Sequence, residues 1–211
     1  MKIYALGGLG ADKRTFRYLH TSHEFVCLEW APPASGETIT SYARKFLEHI
    51  PQDEDFALLG VSFGGMVMTE LAKLVKPKYL FLVSSIATQT ELPKSYKLAG
   101  KLSLDKGVPY SLVLKGAPLI QLLFGVKNQR DKQLIGEILE DTDPKFIKWA
   151  IRSIVTWENK SAFEKTIRIH GTKDKVLPFL PKLTEHPIDN QGHFIIVEKA
   201  EKISAILDSY K

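Results

Sequence analysis

Apolar residues recur along this chain with two alternating periods. Short continuous apolar or β-type runs at Lys2 to Leu6, Phe25 to Leu28, Phe56 to Leu59 and Tyr79 to Val83 read as strands. Between them lie segments with helical spacing. Asp12 to His20 is one, Thr38 to Ile50 with Ile39, Tyr42, Phe46 and Leu47 is another, and the segment after Gly64 carries Val67, Met68, Leu71, Leu74 and Val75. A strand that is apolar on both faces must be covered on both, so the rhythm predicts a parallel sheet with crossover helices. The rhythm stops at Ser84. From Ser85 to Phe163 the pattern is helical with no clear strand: Tyr110 to Phe124 interrupted at Pro118, Lys127 to Leu139, and a helix opened by Asp143-Pro144 and running to Trp157. Strands resume at Thr166 to Ile169 and Glu185 to Ile188, and a helix through Ile203, Ile206 and Leu207 ends the chain. The predicted organisation is an α/β core formed by residues 1–84 and 164–211, with residues 85–163 as an all-helical insert over the sheet. A separate helical domain is the alternative, although no flexible linker marks its ends.

Composition supports one domain. The chain has 211 residues, of which 44% are apolar and 25% charged, enough for a sizeable core. No apolar run reaches the roughly 18 residues of a membrane span, and the opening MKIYALGG is too short in its apolar part for a signal peptide, so a cytoplasmic location is expected. The single cysteine, Cys27, has no internal disulfide partner and reads as a small buried hydrophobe. The net charge of +5 comes from scattered lysines without a basic run or nucleic-acid motif, so a solvated lysine-rich surface is the reading and nucleic acid is not an expected partner.

The chemistry gathers around Gly60-Val61-Ser62-Phe63-Gly64, which lies between a strand and a helix. A serine on so sharp a turn needs small residues two positions before and after it, and its hydroxyl then sits at a helix start, where free N–H groups favour negative charge. The Phe63 N–H is one donor for a substrate oxyanion. The glycine-rich loop Gly7-Gly8-Leu9-Gly10 can present the Leu9 N–H as a second, or it can be a plain strand-to-helix turn. Nucleotide binding has little support, because no GK[ST] follows and Lys13 stands where GxGxxG needs its third glycine.

A serine hydroxyl needs a base, and the base needs an orienting group. Of six histidines only His193 follows the last strand in a glycine-flanked loop. His20, His23, His49 and His186 read as surface or packing residues, and His170 as a brace for an acid-bearing loop. Asp174, on the turn after the preceding strand, is the candidate acid, with Glu91 in reserve.

These segments, GVSFGG at 60–65, HGTKDKVLP at 170–178 and GHF at 192–194, resemble the α/β-hydrolase superfamily, whose triad comes in the order Ser, Asp, His. The resemblance covers nearly all the chain. It implies a three-layer α/β-hydrolase fold with a mostly parallel sheet, here reduced to about six strands because the chain starts directly on the strand leading to the glycine loop. It implies Ser62 as nucleophile, His193 as general base and then acid, Asp174 as orienting acid, and the Leu9 and Phe63 N–H groups as oxyanion hole. The superfamily's frequent HG pair before that hole is Gly7-Gly8 here, which removes a side chain that could brace the loop.

The helical insert would be a cap, with Leu112, Leu119, Leu122, Leu123 and Phe124 available to a substrate pocket or to the cap's own core. The expected activity is a serine esterase or thioesterase acting on a small-molecule acyl substrate, with no cofactor. No metal is expected either, since HExxH and paired CxxC are absent. Carbon–carbon hydrolysis, cofactor-free peroxidase chemistry and acyl transfer use the same triad, and a non-catalytic binding protein is the competing class. Dehalogenase and epoxide hydrolase relatives carry aspartate where this chain has Ser62.

Overall fold

A computed structural model describes residues 1–51, 54–102 and 117–211. Its centre is a six-stranded sheet, parallel throughout, made of β1 (Lys2–Leu6), β2 (Glu24–Leu28), β3 (Phe56–Val61), β4 (Tyr79–Val83), β5 (Thr166–Gly171) and β6 (His186–Ile188). The order across the sheet is β2-β1-β3-β4-β5-β6. The chain steps outward from β1 to β2, then crosses back to β3 and continues the other way. Such a reversal opens a crevice at the carboxyl ends of β1 and β3, where open α/β sheets place their ligands.

Side chains alternate along each strand and feed two cores. Tyr4, Leu6, Leu58, Leu80 and Leu82 pack on one face, with α1 (Ile39–Ala43) and α2 (Phe63–Val75). Ile3, Ala5, Leu59, Phe81, Val83 and Ile169 pack on the other, with α7 (Ile195–Glu198) and α8 (Ala200–Asp208). This double burial is why the strands read as unbroken apolar runs. Cys27 is half-buried at the rim of the second core, not fully enclosed.

Between β4 and β5 the regular elements among the described residues are a 3-10 turn at Gln89–Glu91 and the helices α3 (Lys94–Lys101), α4 (Ala117–Phe124), α5 (Gln129–Asp141) and α6 (Pro144–Val155). Asn128 caps α5 by accepting the Asp131 N–H, and Asp143 caps α6 with proline at its first turn. Leu134, Ile135, Ile138 and Leu139 of α5 join the second core, whereas Phe146 and Ala150 of α6 join the first. The segment is pinned to the sheet layer by buried polar contacts. The Trp157 indole N–H donates to Glu70 Oε1 at 2.9 Å, and Lys73 Nζ bridges Glu70 Oε2 (2.9 Å) and Asn159 Oδ1 (2.6 Å).

Three predicted helices differ. Thr38 to Ile50 is a short α-helix, Ile39–Ala43, continued by a 3-10 helix, Arg44–His49. Asp12 to His20 is a single 3-10 turn, Lys13–Phe16. The Asp12 carboxylate takes the Arg14 N–H at 2.9 Å and the Arg14 guanidinium as well, which caps the start of this turn. The helix placed at Tyr110 to Phe124 is described only as α4; Pro118 lies in its first turn, where proline is tolerated, and residues 110–116 lie outside the described residues. No helix among the described residues is long and apolar enough to cross a membrane.

Candidate active site

Ser62 sits between β3 and α2 with φ 50° and ψ −120°, a conformation that costs a non-glycine residue about 1–3 kcal/mol. The surroundings enforce it. Its N–H donates to Val83 O at 3.0 Å, and its carbonyl accepts the Gly65 N–H (3.0 Å) and the Ser85 hydroxyl (2.6 Å). Close approach explains the flanking glycines: a Cβ on Gly60 would strike the backbone of Gly65, and one on Gly64 would strike the carbonyls of Leu6 and Gly7. The start of α2 is therefore pressed against the loop that follows β1.

His193 follows β6 and is buried at 3% exposure. Its loop is tied on two sides, by the His193 N–H to Phe124 O at 2.9 Å and by the Lys173 N–H to Gln191 O at 2.8 Å. The imidazole Nε2 lies 2.8 Å from Ser62 Oγ, and Nδ1 lies 2.7 Å from Asp174 Oδ2. A carboxylate can only accept, so Nδ1 carries the hydrogen and Nε2 presents its lone pair to the serine hydroxyl. The structure thus brings Ser62, His193 and Asp174 into one hydrogen-bonded chain across the carboxyl ends of β3, β5 and β6.

Asp174 has no side-chain exposure. Its Oδ1 accepts the N–H groups of Val176 (2.8 Å) and Leu177 (3.0 Å), and its Oδ2 also faces His170 Nε2 at 3.0 Å. Burial pushes this carboxyl up, but the hydrogen bonds from His170 and His193 outweigh it and hold it well below the usual carboxylate range. His170 thus braces the acid itself. Glu91, the reserve acid, is engaged elsewhere: it pairs with Arg168 at 3.2 Å and accepts from Thr88 Oγ1 and the Ala87 N–H. His23 and His186 contact the C-terminal helix region, through Leu207 O and the Tyr210 hydroxyl.

Ser62 and His193 open onto a cavity of about 240 Å³. Its lining includes Leu9 and Phe63, and is otherwise dominated by aliphatic and aromatic side chains such as Ile120, Phe124, Ile138, Ile151 and Ile154; no Lys, Arg, Asp or Glu lines it among the described residues. Of the leucines expected there, Leu119, Leu122 and Leu123 are 58%, 64% and 37% exposed and do not line it. On α4 it is Ile120 and Phe124, one turn apart, that face inward. Leu112 lies outside the described residues. A larger open groove, about 1110 Å³ between residues 33–40 and the outer face of α6, contains none of the three residues of the chain.

Solved structures resemble the protein over almost its whole length. An esterase (EaEST) from Exiguobacterium antarcticum is 21% identical with a TM-score of 0.75, and the match covers 100% of this chain and 91% of that one. The fold is the α/β-hydrolase fold. Two other structures with the α/β-hydrolase fold share it at lower identity. The hydrolase olei00960 from Oleispira antarctica is 10% identical with a TM-score of 0.74, covering 99% and 90% of the two chains. A meta-cleavage product hydrolase from Pseudomonas fluorescens is 14% identical with a TM-score of 0.70, covering 99% and 89%. No protein-family model matches the sequence. No curated protein matches it either. In this sheet the loop after the first strand is the one that meets the Ser62 turn.

Proposed function

We propose that the protein is a serine hydrolase that cleaves an uncharged carboxylic ester or thioester with a small or medium acyl group. The observation that carries this reading is the 2.8 Å approach of His193 Nε2 to Ser62 Oγ, with Nδ1 held by a buried carboxylate. His193 takes the Ser62 proton as Oγ attacks the carbonyl carbon, and returns it to the departing alcohol or thiol as the tetrahedral intermediate collapses. The acyl group is left on Ser62. Water, deprotonated by the same imidazole, releases it as the acid and restores the serine. Asp174 keeps the imidazole in the required tautomer and stabilises its cationic form.

The oxyanion is met by the N–H groups of Leu9 and Phe63. Phe63 is the first residue of α2, so its N–H has no acceptor within the helix. The Leu9 N–H donates to no acceptor among the described residues. Each such donor is worth roughly 3 kcal/mol in a cleft that excludes water. In this reading residues 85–163 form the cap that closes the cleft, and its aliphatic lining favours a hydrocarbon acyl chain over a charged one. Nucleophile, base and oxyanion donors are all protein groups, so the reaction calls for neither cofactor nor metal, and the substrate is a small molecule met in the cytoplasm. Hydrolysis of p-nitrophenyl acetate and butyrate by wild type and Ser62→Ala tests it. Turnover that vanishes in the variant supports the reading; turnover retained near the wild-type rate removes Ser62 from the mechanism.

A further inference from the structure

We propose that Trp30 is a positioning residue for the oxyanion hole, acting through the Gly8–Leu9 peptide; the inference rests on the serine-hydrolase reading above. The indole N–H donates to Gly8 O at 3.0 Å, from 22 residues further along the chain. The Ala11 N–H donates to the same oxygen at 3.0 Å. A carbonyl has two lone pairs, and both are engaged here. No peptide bond among the described residues is cis, so in the planar Gly8–Leu9 unit the Leu9 N–H points opposite to that carbonyl. Anchoring the oxygen therefore sets the direction of the hydrogen.

The peptide also lies beside the nucleophile. A Cβ built on Gly8 would stand 3.6 Å from Ser62 Cβ and 3.8 Å from Val61 O. The other donor is reached by the same side chain: the Trp30 ring stacks on that of Phe63 with centroids 5.4 Å apart and planes 11° apart. Phe63 is 1% exposed and cannot shift without repacking its neighbours. Phe146 of α6 packs on the indole at 5.0 Å, which links the helical segment to the same point. Where Gly7-Gly8 offers no side chain to brace the loop, a tryptophan after β2 supplies the hydrogen bond instead.

With the indole N–H removed, Gly8 O keeps the Ala11 bond, so the loop stays folded while its peptide gains freedom to rotate. The loss then falls on the transition state, not on substrate binding. Two variants isolate it: Trp30→Phe keeps a stacked ring without the donor, and β-(3-benzothienyl)alanine at position 30 keeps the indole shape with sulfur in place of N–H. The assay measures kcat and KM on p-nitrophenyl butyrate, the binding of n-butylboronic acid as a tetrahedral adduct of Ser62, and the thermal midpoint.

Both variants are expected to lose about tenfold to a hundredfold in kcat with KM within about twofold of wild type. Boronate affinity falls by a similar factor, and the midpoint moves by only a few degrees. Unchanged kcat and boronate affinity in both variants overturns the proposal, and so does a loss that appears in KM alone or only in step with the midpoint. Wild-type protein that neither hydrolyses ester nor reacts at Ser62 overturns the hydrolase reading itself, and this inference with it, a result distinct from any produced by the Trp30 variants.

Discussion

Replacing His170 with leucine removes one of four donors from a carboxylate that water does not reach. Asp174 Oδ1 keeps its two backbone N–H groups, but Oδ2 keeps only His193. A hydrogen bond to a buried charge contributes about 1.5–3 kcal/mol, and leucine fills most of the space the 2%-exposed imidazole leaves, so packing adds little. Leu177 O, 3.3 Å from the same nitrogen, loses its contact as well. The expected cost is about 2–3 kcal/mol, or roughly 5–10 °C in thermal midpoint for a chain of this size. The pH dependence has a definite sign. The folded carboxyl is depressed, so its stabilisation is present above the unfolded carboxylate pKa near 3.9 and is lost as pH falls through the lower folded value. The unfolded value is common to both proteins, so the deficit of His170→Leu depends only on their two folded values; it persists from neutral pH to below about pH 4 and shrinks only as pH falls through the variant's own depressed value. Urea unfolding followed by tryptophan fluorescence at pH 7 and pH 3.5 measures both. A deficit under about 0.5 kcal/mol at pH 7, or one that has already vanished at pH 3.5, refutes the reasoning.

Three further outcomes follow from the same geometry. Asp174→Asn frees the imidazole to take the wrong tautomer and lowers kcat by roughly 10⁴, far more than His170→Leu, as p-nitrophenyl butyrate kinetics on the two variants would read. Glu91→Ala strands the Arg168 guanidinium, 9% exposed, and costs about 3–5 kcal/mol in urea unfolding while the folded fraction still reacts at Ser62. Ile151→Trp narrows the cavity and lowers the butyrate-to-acetate ratio of kcat/KM by about tenfold, measured with the two p-nitrophenyl esters.

Much of this architecture can be read from residue order, for physical reasons that also mark where reading fails. Parallel strands buried on both faces advertise themselves as apolar runs, and GVSFG is forced by backbone contacts at Gly60 and Gly64 that no larger residue survives. The turn at Lys13–Phe16 carries a helix-type cap at Asp12, so nothing in the spacing from Asp12 to His20 shows that it stops after one turn. The inward face of α4 was hidden because its exposed positions, Leu119, Leu122 and Leu123 among them, are apolar and its one polar residue, Gln121, is half-buried against Lys132 O, so polarity does not show its phase. The contact from Trp30 to Gly8 joins a side chain to a carbonyl 22 residues away and leaves no periodic trace at all. His170 is readable as a brace by its place near the carboxyl end of β5, but its direct contact with the acid required coordinates.

The central claim is that the Ser62 hydroxyl is made nucleophilic by His193 and Asp174. Intact-mass measurement after exposure to an alkyl fluorophosphonate tests it most directly. The predicted result is a single adduct on Ser62, absent from Ser62→Ala and formed at least a hundredfold more slowly, in order of magnitude, in His193→Ala. Folded wild-type protein that gains no mass, or gains it at another residue, contradicts the claim.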